Sequence, residues 1–209
     1  VDVYNGILKA LERQGPEIFK FNLDQRIDAS GAFMNFHYKR QKRRGVVLPK
    51  PTPTQILLHA AQDILARAIY NEVDLVLVVS GMYLHPDWMV LMRKAGLRVG
   101  VMLTESPYDD LRQGPFIQYA DIVWTNERTS ANFLKQWNLN TFYLPHAYDP
   151  ERHFATPVGP EFDYIQSHEV LFVGTGFEER IELLSEVDWD GIDVRLYGTW
   201  ELLGPRNRL

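Results

Sequence analysis

The spacing of apolar residues changes repeatedly along the chain, and each change predicts a new element. "VDVYNGILKALERQG" repeats at helical spacing, with Val3, Ile7, Leu8 and Leu11 on one face and Gly15 as the stop. "EIFKFNL" alternates as a short strand would, and residues 24–50 read as polar and irregular. "PTPTQILLHAAQDILARAIY" opens a helix with Thr52 as N-cap, Pro53 as its first residue and Gln55 as the capping-box partner. Its buried stripe is predicted to be Ile56, Leu57, Ala60, Ala61, Ile64, Leu65, Ala68 and Ile69.

Beyond residue 72 strands and helices alternate. "DLVLVVSG" is a continuous apolar run, as expected of a strand covered on both faces. "PDWMVLMRKAG" is a helix closed by Gly96. "LRVGVMLTESP" and "ADIVWTNE" are strands running into loops, "RTSANFLKQW" is a helix, and "TFYLPHAYDP" is a short strand before a proline-bounded connection. Residues 150–168 read as a linker, after which "EVLFVGTGFEERIELLSEV" and "IDVRLYGTW" restart the pattern. This is the βαβ order of a doubly wound α/β fold in two blocks.

Composition limits the function classes. The chain has 209 residues, 45% of them hydrophobic, with a net charge of −5, so it has material for a core and no general attraction to polyanions. It has no cysteine, which excludes disulfides and thiolate metal sites and fits a reducing cytoplasm. No apolar run is long enough for a membrane span. The chain begins at Val1 and ends at "GPRNRL", which suggests a fragment of a longer protein.

Candidate chemistry gathers after the strands, where parallel sheets bind ligands. Those positions read Ser80-Gly81, Thr104-Glu105-Ser106-Pro107, Asn126-Glu127-Arg128, His146-Ala147-Tyr148-Asp149 and Gly174-Thr175-Gly176-Phe177. Glu105 ends an otherwise apolar run. It is a helix cap, a solvated group, or a carboxylate at the rim of a cleft. Ser80-Gly81 also reads as turn chemistry. In "VGTGFEER" two glycines let backbone approach a ligand, the following helix favours an anion, and Arg180 adds a phosphate contact. A tight turn with a surface arginine is the competing reading. The sequence lacks both the full G-x-G-x-x-G pattern and the P-loop lysine. The run "YKRQKRRG" places Lys39, Arg40, Lys42, Arg43 and Arg44 together; it reads as a solvated mobile loop, or as a contact for an anionic acceptor.

The blocks "LTESPYDD", "ADIVWTNE", "LPHAYDPERH" and "LFVGTGFEERIELLSEVDWDGIDVRLYG" resemble glycosyltransferases of the GT-B fold, in the CgeB-like (spore-maturation) branch. The resemblance runs from Val1 to about Trp200 and is weakest over residues 24–52. It implies a Rossmann-like acceptor-side domain over residues 1–150 lacking its first strand, a linker over 151–168, and the start of a nucleotide-sugar-binding domain over 169–209. It also implies sugar transfer from a nucleotide-sugar donor without a metal or other cofactor. Glu105 would be catalytic. Ser80, Gly81, Thr104, Ser106, Asn126, His146, Tyr148, Gly174, Thr175, Gly176, Phe177 and Arg180 would bind substrate. Many relatives carry a histidine where this chain has Glu105, so its role is not inherited directly. A sugar-nucleotide epimerase and a non-catalytic nucleotide-sugar- or glycan-binding subunit remain as alternatives.

Overall fold

The computed structural model describes residues 2–151, 153–154 and 170–203. The chain divides into two compact units, Val1–Asp149 and Pro150–Leu209. Most of the predicted linker lies outside the described residues.

The first unit opens with α1 (Asp2–Gln14), which ends at Gly15 with φ +86°. Helix α2 (Leu23–Arg43) follows, and this corrects two expectations. Residues 17–21 form no strand: Phe21 instead lies under the guanidinium groups of Arg26 and Arg67, at 4.7 and 5.9 Å. Residues 24–43 are helical rather than irregular, so Lys39–Arg43 form the last turns of a helix and not a mobile loop. Asn22 caps α2 by accepting from the Gln25 amide, and the cations suit the negative end of the helix dipole. The helix is polar because it buries only a narrow strip against α3 (Pro53–Ala60). That strip is held by polar contacts. Arg26 donates to the Ala60 carbonyl and pairs with Asp63, and Ser30 lies 3.0 Å from His59 Nδ1.

The Thr52–Gln55 capping box forms as expected. The helix it opens is broken, however, by a turn at residues 61–63 before α4 (Ile64–Tyr70). The break turns the apolar stripe, so Ala60, Ala61 and Ala68 are buried while Ile69 is exposed.

A four-stranded parallel sheet forms the rest of the unit: β1 (Val76–Val79), β2 (Val99–Leu103), β3 (Ile122–Thr125) and β4 (Thr141–Tyr143), in that order. Helix α5 (Pro86–Lys94), α6 (Asp110–Ile117) and α7 (Arg128–Leu134) fill the crossovers. Sequence periodicity did not reveal α6, because Gly114 and Pro115 interrupt it. The core joins Val99, Val101, Leu103 and Val123 of the strands to Met89, Met92, Ile117 and Leu134 of the helices. Burying each such side chain stabilises by about 1.5–3 kcal/mol. Gly100 makes room for the Trp124 ring on the neighbouring strand.

The second unit contains a separate two-stranded parallel sheet, β5 (Val170–Val173) and β6 (Val194–Tyr197), with α8 (Glu178–Ser185) between them in the chain. On α8 Ile181 and Leu184 are half-buried. Leu183 is exposed, because it falls on the outer side of the turn.

Glycine contacts yield a prediction. A Cβ at Gly114 would lie 2.5 Å from the Trp137 ring, whereas one at Gly6 in α1 meets nothing within 4 Å. Gly114→Ala is expected to cost about 1–3 kcal/mol by overpacking, and Gly6→Ala to gain about 0.5–1 kcal/mol. Denaturant unfolding of the two variants checks the opposite signs.

Candidate functional site

In the first unit, the strand register brings several predicted residues to one edge of the sheet. Leu103 pairs with Thr125, and Thr125 with Tyr143, so Thr104, Asn126 and Leu144 follow in line. Ser80 extends the edge, donating its amide to the Met102 carbonyl. Ser80 and Gly81 both have positive φ, +66° and +73°. A Cβ at Gly81 would stand 2.7 Å from the Phe116 ring, so that turn has a structural reason of its own.

Glu105 is half-buried, and its carboxylate accepts from the Thr104 hydroxyl at 3.1 Å. It is therefore not unpaired. Among the described residues, no cation lies within ion-pair distance of it. The next peptide, Ser106–Pro107, is cis, and Asn126 Nδ2 donates to the Ser106 carbonyl at 3.4 Å. His146 and Tyr148 lie past β4 in an exposed, irregular segment.

Polar atoms crowd beneath this edge. Ser106 Oγ, Asp110 Oδ1, Thr125 Oγ1, Asn126 Oδ1 and Ser130 Oγ are buried without a hydrogen-bond partner among the described residues. Buried polar groups are normally satisfied, so such a concentration suits a polar ligand or ordered water. Neither Asp110 nor Ser130 was singled out from the sequence: Asp110 opens α6, which was not legible there, and Ser130 lies in α7, which was predicted, but no motif marked its hydroxyl. Both line a pocket with Tyr108, Glu127, Thr129 and Phe133. Glu127 caps α7 by accepting from the Ser130 amide at 2.6 Å. Hydrogen bonds from the Ser130 and Thr129 amides hold its carboxyl below the usual carboxylate range.

In the second unit the strand–loop–helix turn is built differently from expectation. The amides of Gly174 and Gly176 are not open to a ligand. They donate to the carbonyls of Tyr197 and Thr199, each at 2.8 Å, and so prolong the β5–β6 ladder. These glycines serve close packing. A Cβ at Gly176 would strike the Trp200 ring, and one at Gly198 would strike the Gly174 carbonyl oxygen. Trp200 also meets Phe172 edge-on, with ring centres 5.6 Å apart, and no sequence signal marked it. Helix α8 has Phe177 as N-cap and no side-chain cap; the Arg180 amide bonds the Phe177 carbonyl at 3.0 Å, which leaves the Glu178 and Glu179 amides for another acceptor. Arg180 turns back over the loop. Its Nη1 donates to the Thr175 carbonyl at 2.8 Å, and its guanidinium lies 5.1 Å from the Phe177 ring centre. Four of its five N–H donors are not used in that bond.

No family model matches the chain, and no curated protein matches it. Among solved structures it is similar to a protein from Listeria monocytogenes described as a UDP-N-acetylglucosamine 2-epimerase. The TM-score is 0.49 and the identity 11%, over 90% of this chain and 62% of that one. The chain thus spans less than two thirds of that protein's length. Among the described residues no cluster of histidine and carboxylate side chains has metal-binding geometry, and no helix is long and apolar enough to cross a membrane.

Two predictions follow from these contacts. Gly198→Ala, with φ +119° and a backbone clash, should destabilise the second unit more than Gly191→Ala, which has φ +80° but open space. Thermal melts of both variants provide the comparison. The stability that Glu127 adds is present above the unfolded carboxylate pKa and is lost as pH falls through its depressed folded value. Glu127→Gln should therefore be less stable than the parent at neutral pH, and the gap should close under acid; unfolding followed against pH checks this.

Proposed function

We propose that this chain carries part of a metal-independent glycosyltransferase of the GT-B type, in the CgeB-like branch. In this reading it moves a sugar from a nucleotide-sugar donor to a hydroxyl acceptor. One observation carries the proposal: Arg180 folds back over the glycine loop of β5–α8, beside the uncapped first turn of that helix. Sugar transfer leaves a diphosphate with growing negative charge. A guanidinium and helix amides stabilise such a group as its charge develops.

The acceptor is assigned to the first unit. There Glu105 is the candidate base or hydroxyl ligand, with Thr104, Ser106 and Asn126 around it and Ser80 and Gly81 on the neighbouring strand end. His146 and Tyr148 are assigned to the same side. Gly174, Thr175, Gly176 and Phe177 shape the donor loop; the glycines do so by close packing, with their amides spent on the Tyr197 and Thr199 carbonyls rather than offered to the donor.

Arg180→Ala should weaken nucleoside-diphosphate binding roughly ten- to hundredfold, the value of a charge-assisted contact, and leave the bare nucleoside almost unaffected. Titration calorimetry with both ligands on the complete protein decides this, and equal losses would make Arg180 a surface residue. Intact-mass analysis of acceptors incubated with a panel of nucleotide sugars tests the transfer itself. Glu105→Gln should keep the fold and depress that transfer. Nucleotide released without a glycosylated product would favour epimerase or hydrolase chemistry instead.

A further inference from the structure

The cations of this acidic chain are unevenly placed. Between Asp28 and Asp63 there is no aspartate or glutamate, while six lysines and arginines fall there. Five of them, from Lys39 to Arg44, lie at the end of α2. All five are exposed, and among the described residues none has a carboxylate within ion-pair distance. The surface they surround is apolar. Phe33 and Phe36 are 60% and 64% exposed, and Arg40 and Arg43 continue the same helical face at i+7 and i+10 from Phe33. Past the helix, the amides of Gly45 and Val46 bond back to the carbonyls of Lys42 and Gln41. This sets Val46, Val47 and Leu48 at the tip of the α2–α3 hairpin, with Val47 97% exposed. Lys50, also exposed, follows the tip in the chain.

We infer that this hairpin end is a peripheral docking surface for an anionic phospholipid membrane. The aliphatic tip and the two phenylalanines would enter the headgroup boundary, while the surrounding cations meet lipid phosphates and carboxylates. Charge complementarity selects a polyanion, and the aliphatic tip selects a lipid surface over nucleic acid. The tip's valines and leucine offer no plane on which bases stack, and exposing them gains nothing at a phosphate backbone; Phe33 is already stacked on His59, with ring centres 5.7 Å apart, which leaves Phe36 alone of the two phenylalanines as a plane for a base. The inference is independent of the proposed enzymatic activity.

The test is flotation of the complete protein with phosphatidylcholine vesicles containing about one third phosphatidylserine, against pure phosphatidylcholine. Binding is expected only to the anionic vesicles and should weaken strongly from about 0.05 to about 0.5 M salt. Arg40→Ala and Arg44→Ala should each lower partitioning about fivefold. Val47→Asp removes no folded contact of consequence, since the side chain is almost wholly exposed, and should lower partitioning at least about tenfold. Circular dichroism confirms that the variants are folded. Equal binding to both vesicle types, or unchanged binding by Val47→Asp, would overturn the inference. So would salt-sensitive binding to polyuridylate with none to vesicles, which would mark a nucleic-acid surface.

Discussion

The parallel pairing of β2 with both of its neighbours is the constraint on which the first unit depends. A central parallel strand has no solvent side, so four of its five residues are buried, including Gly100, where the Trp124 ring takes the space a side chain would fill. Polar groups are tolerated only where the strand stops. The register then decides which of those strand-end groups meet. Because β2 and β3 run level, Thr104 and Asn126 arrive side by side, and the Asn126 amide reaches the Ser106 carbonyl. The candidate acceptor edge is therefore a by-product of a ladder that must be satisfied on both sides.

The second unit meets the same requirement by a different route. Its short sheet is prolonged past the strand ends by the Gly174 and Gly176 amides, and close packing of Gly174 against Gly198 and of Gly176 against Trp200 makes that extension possible. What remains to face an anion is the uncapped start of α8 and the guanidinium of Arg180. A glycine pair that looks like a phosphate cradle thus works here as a steric device, and positive charge comes from the helix and one side chain.

The α2–α3 hairpin is held in a third way. Polar bonds from Arg26 to Ala60 and Asp63 and from Ser30 to His59 fix the helices, and Phe33 stacks on the His59 ring. Phe33, Phe36 and a valine tip nevertheless remain largely exposed beside cations.

Much of the fold was legible in the sequence, because strand burial and helix capping are local demands. The run Val76–Val79, the Thr52–Gln55 box and the Gly15 and Gly96 stops each state their element by residue type alone. The candidate strand-end residues were legible for the same reason, as polar groups placed where an apolar run halts. Helix α2 was not, since its polarity makes sense only once α3 supplies partners for Arg26 and Ser30. Nor was α6, whose Gly114 is explained by a tryptophan more than twenty residues away that packs on it. By itself the sequence marked the strands of both sheets and where their chemistry sits, because burial and caps act within a few residues, but the alternation in "EIFKFNL" alone did not make a strand. Only the tertiary structure decided which amides remain free, which glycines are filled by a distant ring and which cations stay unpaired. Those outcomes depend on neighbours brought close by folding rather than by the chain.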